Sequence, residues 1–127
     1  VCSSDLGGSQ MSGGTITALG TYTKVGRVVT YLIDIGISSI GSGSGSLQIR
    51  NLPFTSTSGG TNAYPCPACE SEQLVSGVSG FMPLIPPGTT YFDVYYNWNG
   101  TSGPAAMGFS NLKSGSGFRL TGVYFTS

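Results

Sequence analysis

Across residues 28–37 the chain alternates with a period of two. Val29, Tyr31, Ile33, Ile35 and Ile37 fall on one face, and Val28, Thr30, Leu32, Asp34 and Gly36 on the other. The pattern predicts a strand over residues 27–37 with one wholly apolar face and one mixed face. Such a strand belongs in the middle of a sheet, with a second sheet over its apolar side and a neighbour over the other. A shorter polar strand over 21–24 precedes it through a turn at Gly26. A third, over 47–52, follows a glycine-serine hairpin and stops at Pro53. Over 91–98, Phe92, Val94, Tyr96 and Trp98 alternate with Tyr91, Asp93, Tyr95 and Asn97, and Asn99-Gly100 supplies a hairpin-type turn. Over 118–125, Phe118, Leu120 and Tyr124 alternate with Arg119, Thr121, Val123 and Phe125.

The remaining segments are weaker. Residues 74–82 read as one or two short strands broken at Gly77 and Gly80, and Pro86-Pro87-Gly88 marks a turn. Residues 57–72 carry two prolines and no alternation, which predicts the longest loop, of a length that usually serves function. No window of eleven residues shows apolar spacing at i, i+3, i+4 and i+7, so no helix is legible. The fold class this predicts is all-β: an antiparallel β-sandwich, jelly-roll-like. Residues 20–127 form one domain, and residues 1–19 a glycine-rich leader.

Three pieces of the chain carry a resemblance: Gly20-Thr21-Tyr22-Thr23-Lys24-Val25-Gly26, Ser42-Gly43-Ser44-Gly45, and Ile49-Arg50-Asn51-Leu52-Pro53-Phe54-Thr55. Together they resemble a module of bacteriophage structural proteins, especially the C-terminal parts of tail fibres. Its pattern is G-x-Y-T-[KR]-[IV]-G, an alternating strand, a Ser/Gly turn, and I-x-x-L-P-F-[TS]. The likeness is specific up to Thr55 and loose beyond it. It implies an all-β sandwich that is part of a virion, with other virion proteins as partners; the first function considered with it is a homotrimeric fibre tip whose exposed loops contact host surface glycan. The neighbour over the mixed face of residues 27–37 is then another subunit. Residues 1–6 resemble the conceptual translation of a sequencing adapter, which would place the chain in an environmental (metagenome) assembly. An ordinary polar leader is the other reading, and Cys2 is set aside under both.

Composition narrows the partners. Only 8% of residues are charged and the formal net charge is zero, so there is no basic footprint for nucleic acid. No apolar stretch approaches the roughly 20 residues that span a membrane, and no signal peptide is legible at the start of the chain. A surface so poor in charge suits a subunit held in an assembly. Both faces of residues 27–37 carry apolar side chains, which predicts an obligate oligomer with an interface above ~2,000 Å².

Chemistry is sparse. There is no histidine, and the carboxylate side chains are Asp5, Asp34, Glu70, Glu72 and Asp93. Glu70 and Glu72 share the long loop and read as a solvated pair rather than a glycosidase pair held across a cleft. No nucleophile context is present, so no catalytic residue and no enzyme activity are expected, and a polysaccharide-degrading tailspike lacks its residues. Cys66-Pro67-Ala68-Cys69 is one C-x-x-C without the further ligands that zinc needs. It reads as free thiols or a local disulfide, with a metal shared between subunits as the alternative. No metal site and no cofactor are expected. The candidate ligand site is Tyr91, Asp93, Tyr95, Asn97 and Asn99, with Asn62 and Tyr64 of the long loop close to it. Aromatic rings beside amides and carboxylates suit sugars, while the same face also suits packing against another subunit. Arg27, Asp34, Asp93 and Arg119 are expected at strand ends, at rims or in Arg–Asp pairs. Two functions follow: a tail-fibre or receptor-binding tip, or a capsid or fibre decoration protein that binds only other virion subunits.

Overall fold

The computed structural model of the chain describes residues 5–6, 15–42, 45–58, 65–99 and 103–127, with the backbone alone for 5–6, 97–99 and 103–104. These residues hold nine strands: β1 (Asp5–Leu6), β2 (Thr15–Val25), β3 (Val28–Ser39), β4 (Gln48–Arg50), β5 (Ala68–Glu72), β6 (Met82–Leu84), β7 (Phe92–Asn99), β8 (Gly103–Ala106) and β9 (Gly117–Phe125). A 3-10 turn at Phe109–Asn111 is the one helical element among them. Two antiparallel sheets result. One runs β2-β3-β9-β5, and the other β1-β4-β7-β6 with β8 also paired to β7. The chain is therefore an all-β sandwich.

Alternation explains the core. The apolar face of β3 points inward, and Val29, Tyr31, Ile33, Ile35 and Ile37 are all buried. They join Phe118, Leu120 and Tyr124 of β9, Ile49 of β4, and Phe92 and Val94 of β7 in one cluster. Tyr31 meets Phe92 edge-on at 5.6 Å and Tyr124 at 5.9 Å between ring centroids. Full burial of one such side chain stabilises the fold by roughly 1.5–3 kcal/mol. β3 lies between β2 and β9, so its expected central place is correct.

The first and last pieces of the sequence motif meet in space. Tyr22 lies edge-on to Phe54 at 5.5 Å and the Lys24 ammonium lies 5.3 Å from the same ring. Leu52, two residues before Phe54, is buried in the core. The Tyr124 hydroxyl donates to the Phe54 carbonyl at 2.9 Å and accepts from the Phe54 N–H at 3.2 Å. One phenol thereby holds the segment after β4 against the end of β9.

Several expectations need correction. The first strand begins at Thr15, so five residues assigned to the leader pair with β3. Asp5 and Leu6 of the same leader pair with β4. The strand predicted over 47–52 is only Gln48–Arg50. Ala68–Glu72, assigned to a loop, is a strand on β9. It has no apolar face, and backbone pairing alone leaves no hydrophobic period to read. Residues 73–81 are irregular where a strand was expected, and only Met82–Leu84 pairs. β8 was not foreseen. The turn residue Gly100, with Asn62 and Tyr64, lies outside the described residues, as does the Trp98 side chain.

Gly122 on β9 marks a close approach. A Cβ there would stand 2.8 Å from the Tyr31 hydroxyl and 3.2 Å from Pro67 Cα. Gly122→Ala should therefore cost about 1–3 kcal/mol by overpacking, read from the denaturation midpoint. A neutral result would mean that Tyr31 and Pro67 move apart freely.

Candidate binding faces

Each sheet has an outer face, and the two differ in chemistry. On the five-stranded sheet, Phe92 and Val94 point inward, which turns Asp93 and Tyr95 outward. Register sets Asp93 between Gln48 of β4 and Leu84 of β6. Tyr95 lies between Met82 of β6 and Ala106 of β8. The Gln48 amide donates to Asp93 Oδ1 at 2.9 Å, and its oxygen accepts from Arg50 Nε at 3.0 Å and Arg50 Nη2 at 2.7 Å. Arg50, Gln48 and Asp93 thus form a hydrogen-bonded line, with Tyr95 half-exposed two residues along β7. Leu84 and Met82 give the opposite border an apolar edge. A polar line flanked by a ring and aliphatic groups has the two kinds of contact that a sugar ring offers, hydroxyls and C–H faces.

The structure therefore brings Asp93 and Tyr95 to one face, as the alternation predicted, and Tyr91 stands half-exposed just before β7. Asn97 and Asn99 lie on β7, and their side chains are outside the described residues. Gln48 and Arg50 were not anticipated. They alternate about the buried Ile49, which was a readable signal, but nothing in the sequence says that β4 pairs with β7.

On the four-stranded sheet the outer face is a mixture of apolar, threonine and charged residues. Leu19, Val25, Val28, Leu32, Val123 and Phe125 lie here, six of the seven large hydrophobic side chains exposed among the described residues. Leu32 is 56% and Val25 73% exposed. Asp34 and Arg119 face each other across β3 and β9 with Asp34 Oδ1 at 3.8 Å from Arg119 Nε, and Glu70 of β5 binds Arg119 Nη1. The hydrogen bond to Glu70, and then the surrounding carboxylates, raise the Arg119 pKa above its ordinary value. Arg–Asp pairing between strands was expected. Glu70 and Glu72 share this strand face, so the loop assigned to them is corrected. Arg27 instead sits in the β2–β3 turn, where its Nε donates to the Thr126 carbonyl at 3.0 Å. Two shallow depressions of about 290 and 230 Å³ lie on this face and share Leu32 and Thr121.

Cys66 and Cys69 are exposed free thiols. The Cys69 thiol donates to the Phe81 carbonyl at 3.4 Å, and partial burial pushes both thiols above their ordinary pKa. A raised pKa lowers the thiolate fraction at neutral pH. The double variant Cys66→Ser, Cys69→Ser should keep the fold and lose at most ~1–2 kcal/mol in chemical denaturation. Unfolding of the native protein by a chelator would contradict this and indicate a metal on these thiols.

Comparison with known proteins adds no relative: no family model matches the chain, and neither a curated protein nor a solved structure does.

Proposed function

We propose that the chain is a jelly-roll-like structural module of a bacteriophage virion, a self-associating tail-fibre or receptor-binding tip without enzyme activity. Its Tyr91, Asp93, Tyr95, Asn97 and Asn99 strand contacts host surface glycan. The observation that carries the binding role is the Arg50–Gln48–Asp93 line with Tyr95 half-exposed two residues along β7. The virion role is supported by the likeness of residues 20–55 to phage fibre modules and by the low charge. The apolar outer face of the other sheet offers a second surface for subunit packing, which leaves the tyrosine face open to a ligand.

An array of bacterial surface saccharides tests this reading. Wild type should bind at least one, and Asp93→Ala should weaken that binding roughly 10- to 100-fold, the worth of one charged hydrogen bond. Equal binding by the variant would overturn it. The exposed apolar face favours a second reading, a decoration protein that packs only on other virion subunits. In that case the array is blank while the protein coats phage particles.

A further inference from the structure

The outer face of the four-stranded sheet has an internal symmetry of kind. With the order β2-β3-β9-β5, its midline runs between β3 and β9. Across that midline Val28 faces Phe125, Thr30 faces Val123, Leu32 faces Thr121, Asp34 faces Arg119 and Gly36 faces Gly117. Apolar thus stands beside apolar at one end, and opposite charges stand beside each other toward the other.

We infer that two copies of this chain pack these faces together about a two-fold axis running along the midline, parallel to the strands. Such an axis lays β3 of one copy over β9 of the other. Val28 then meets Phe125 of the partner subunit, and Asp34 meets Arg119 of the partner subunit, each contact occurring twice. Sheet twist crosses the apposed strands by about 30° and leaves these midline contacts in place. A two-fold axis across the strands would instead lay Thr30 and Val123 over the charged row. Only the first arrangement sets Asp34 on Arg119 and Val28 on Phe125 along the midline.

The area is adequate. Four strands about 4.8 Å apart, with five rows of outward residues, offer roughly 500–600 Å² per copy, or roughly 1,000–1,200 Å² in total. That reaches the lower end of specific interfaces, and it is smaller than the ~2,000 Å² expected from the alternation alone. At the flanks β2 of one copy lies over β5 of the other, which places Leu19 opposite Glu70 of the partner subunit at the rim. The inference rests on the self-association in the proposed function and on neither its glycan nor its virion role, and it makes that self-association a two-fold dimer in place of the expected homotrimer.

Analytical ultracentrifugation at micromolar concentration tests it with four samples. Wild type should sediment as a dimer. Asp34→Arg alone and Arg119→Asp alone set like charges across the axis twice, and each should weaken the dimer about 100-fold or more. An equimolar mixture of the two variants should regain a dimer, a hetero-pair by native mass spectrometry, because both cross-axis pairs are again opposite in sign. Both side chains are exposed in the single chain, and β5 keeps its backbone pairing to β9 when Arg119 loses Glu70; circular dichroism and urea denaturation verify that each variant stays folded. Leu32→Lys, at the midline, should also give a monomer. A wild-type monomer or trimer, a dimer indifferent to these changes, or a mixture that fails to pair would each overturn the inference. A dimer that binds no saccharide leaves it standing and removes the glycan reading; a saccharide-binding monomer does the reverse.

Discussion

Phe92→Ala should cost about 3–5 kcal/mol of folding stability, while Tyr95→Ala on the same strand should leave the fold intact. Phe92 is fully buried, and its ring meets Tyr31 across the sandwich. Truncation there removes apolar area and leaves a cavity that Ile49 and Val94 close only in part. Tyr95 has the opposite parity and stands half-exposed between Met82 and Ala106. Its loss removes a surface ring and no core contact. Urea denaturation distinguishes the two, with a large fall in midpoint for the first and little for the second at similar slope. Equal damage from both would mean that the face assignment of β7 is wrong.

The second large effect is at Tyr124. Tyr124→Phe removes the hydroxyl that donates to the Phe54 carbonyl and accepts its N–H. Those two backbone groups lose a partner in a part-buried site, which should cost about 1–3 kcal/mol. Tyr124→Ala also removes the buried ring packed on Tyr31 and should cost about 3–5 kcal/mol or more. The difference between the variants separates ring from hydroxyl. A neutral Tyr124→Phe would show that water replaces the phenol and that the segment around Phe54 is not held by it.

Legibility in the sequence followed hydrophobic alternation. β3, β7 and β9 have strict period-two apolar faces, so their inward residues could be named in advance. β5 was hidden because Ala-Cys-Glu-Ser-Glu has no apolar face; it is held by pairing to β9 and by the Glu70–Arg119 contact. β2 was read as residues 21–24, seven residues too short, since Thr15, Thr17 and Leu19 point outward and only Ile16 and Ala18 pack against the core. The tyrosine face was readable as one face of β7. Its polar line was not, because Gln48 and Arg50 reach Asp93 only through a β4–β7 pairing of distant segments. The motif of residues 20–55 foretold a sandwich and not its own packing, the contacts of Tyr22 and Lys24 with Phe54.

Saccharide binding by wild type, Tyr95→Ala and Leu32→Lys, measured side by side on one array with oligomeric state recorded for each, decides which sheet holds the ligand. Tyr95→Ala should stay assembled and bind the glycan up to about tenfold more weakly, a packed ring being worth roughly 0.5–1.5 kcal/mol. Leu32→Lys should bind the same glycan as a monomer, more weakly only through lost avidity. Undiminished binding by Tyr95→Ala, or binding abolished by Leu32→Lys alone, would place the ligand on the other sheet and contradict the account.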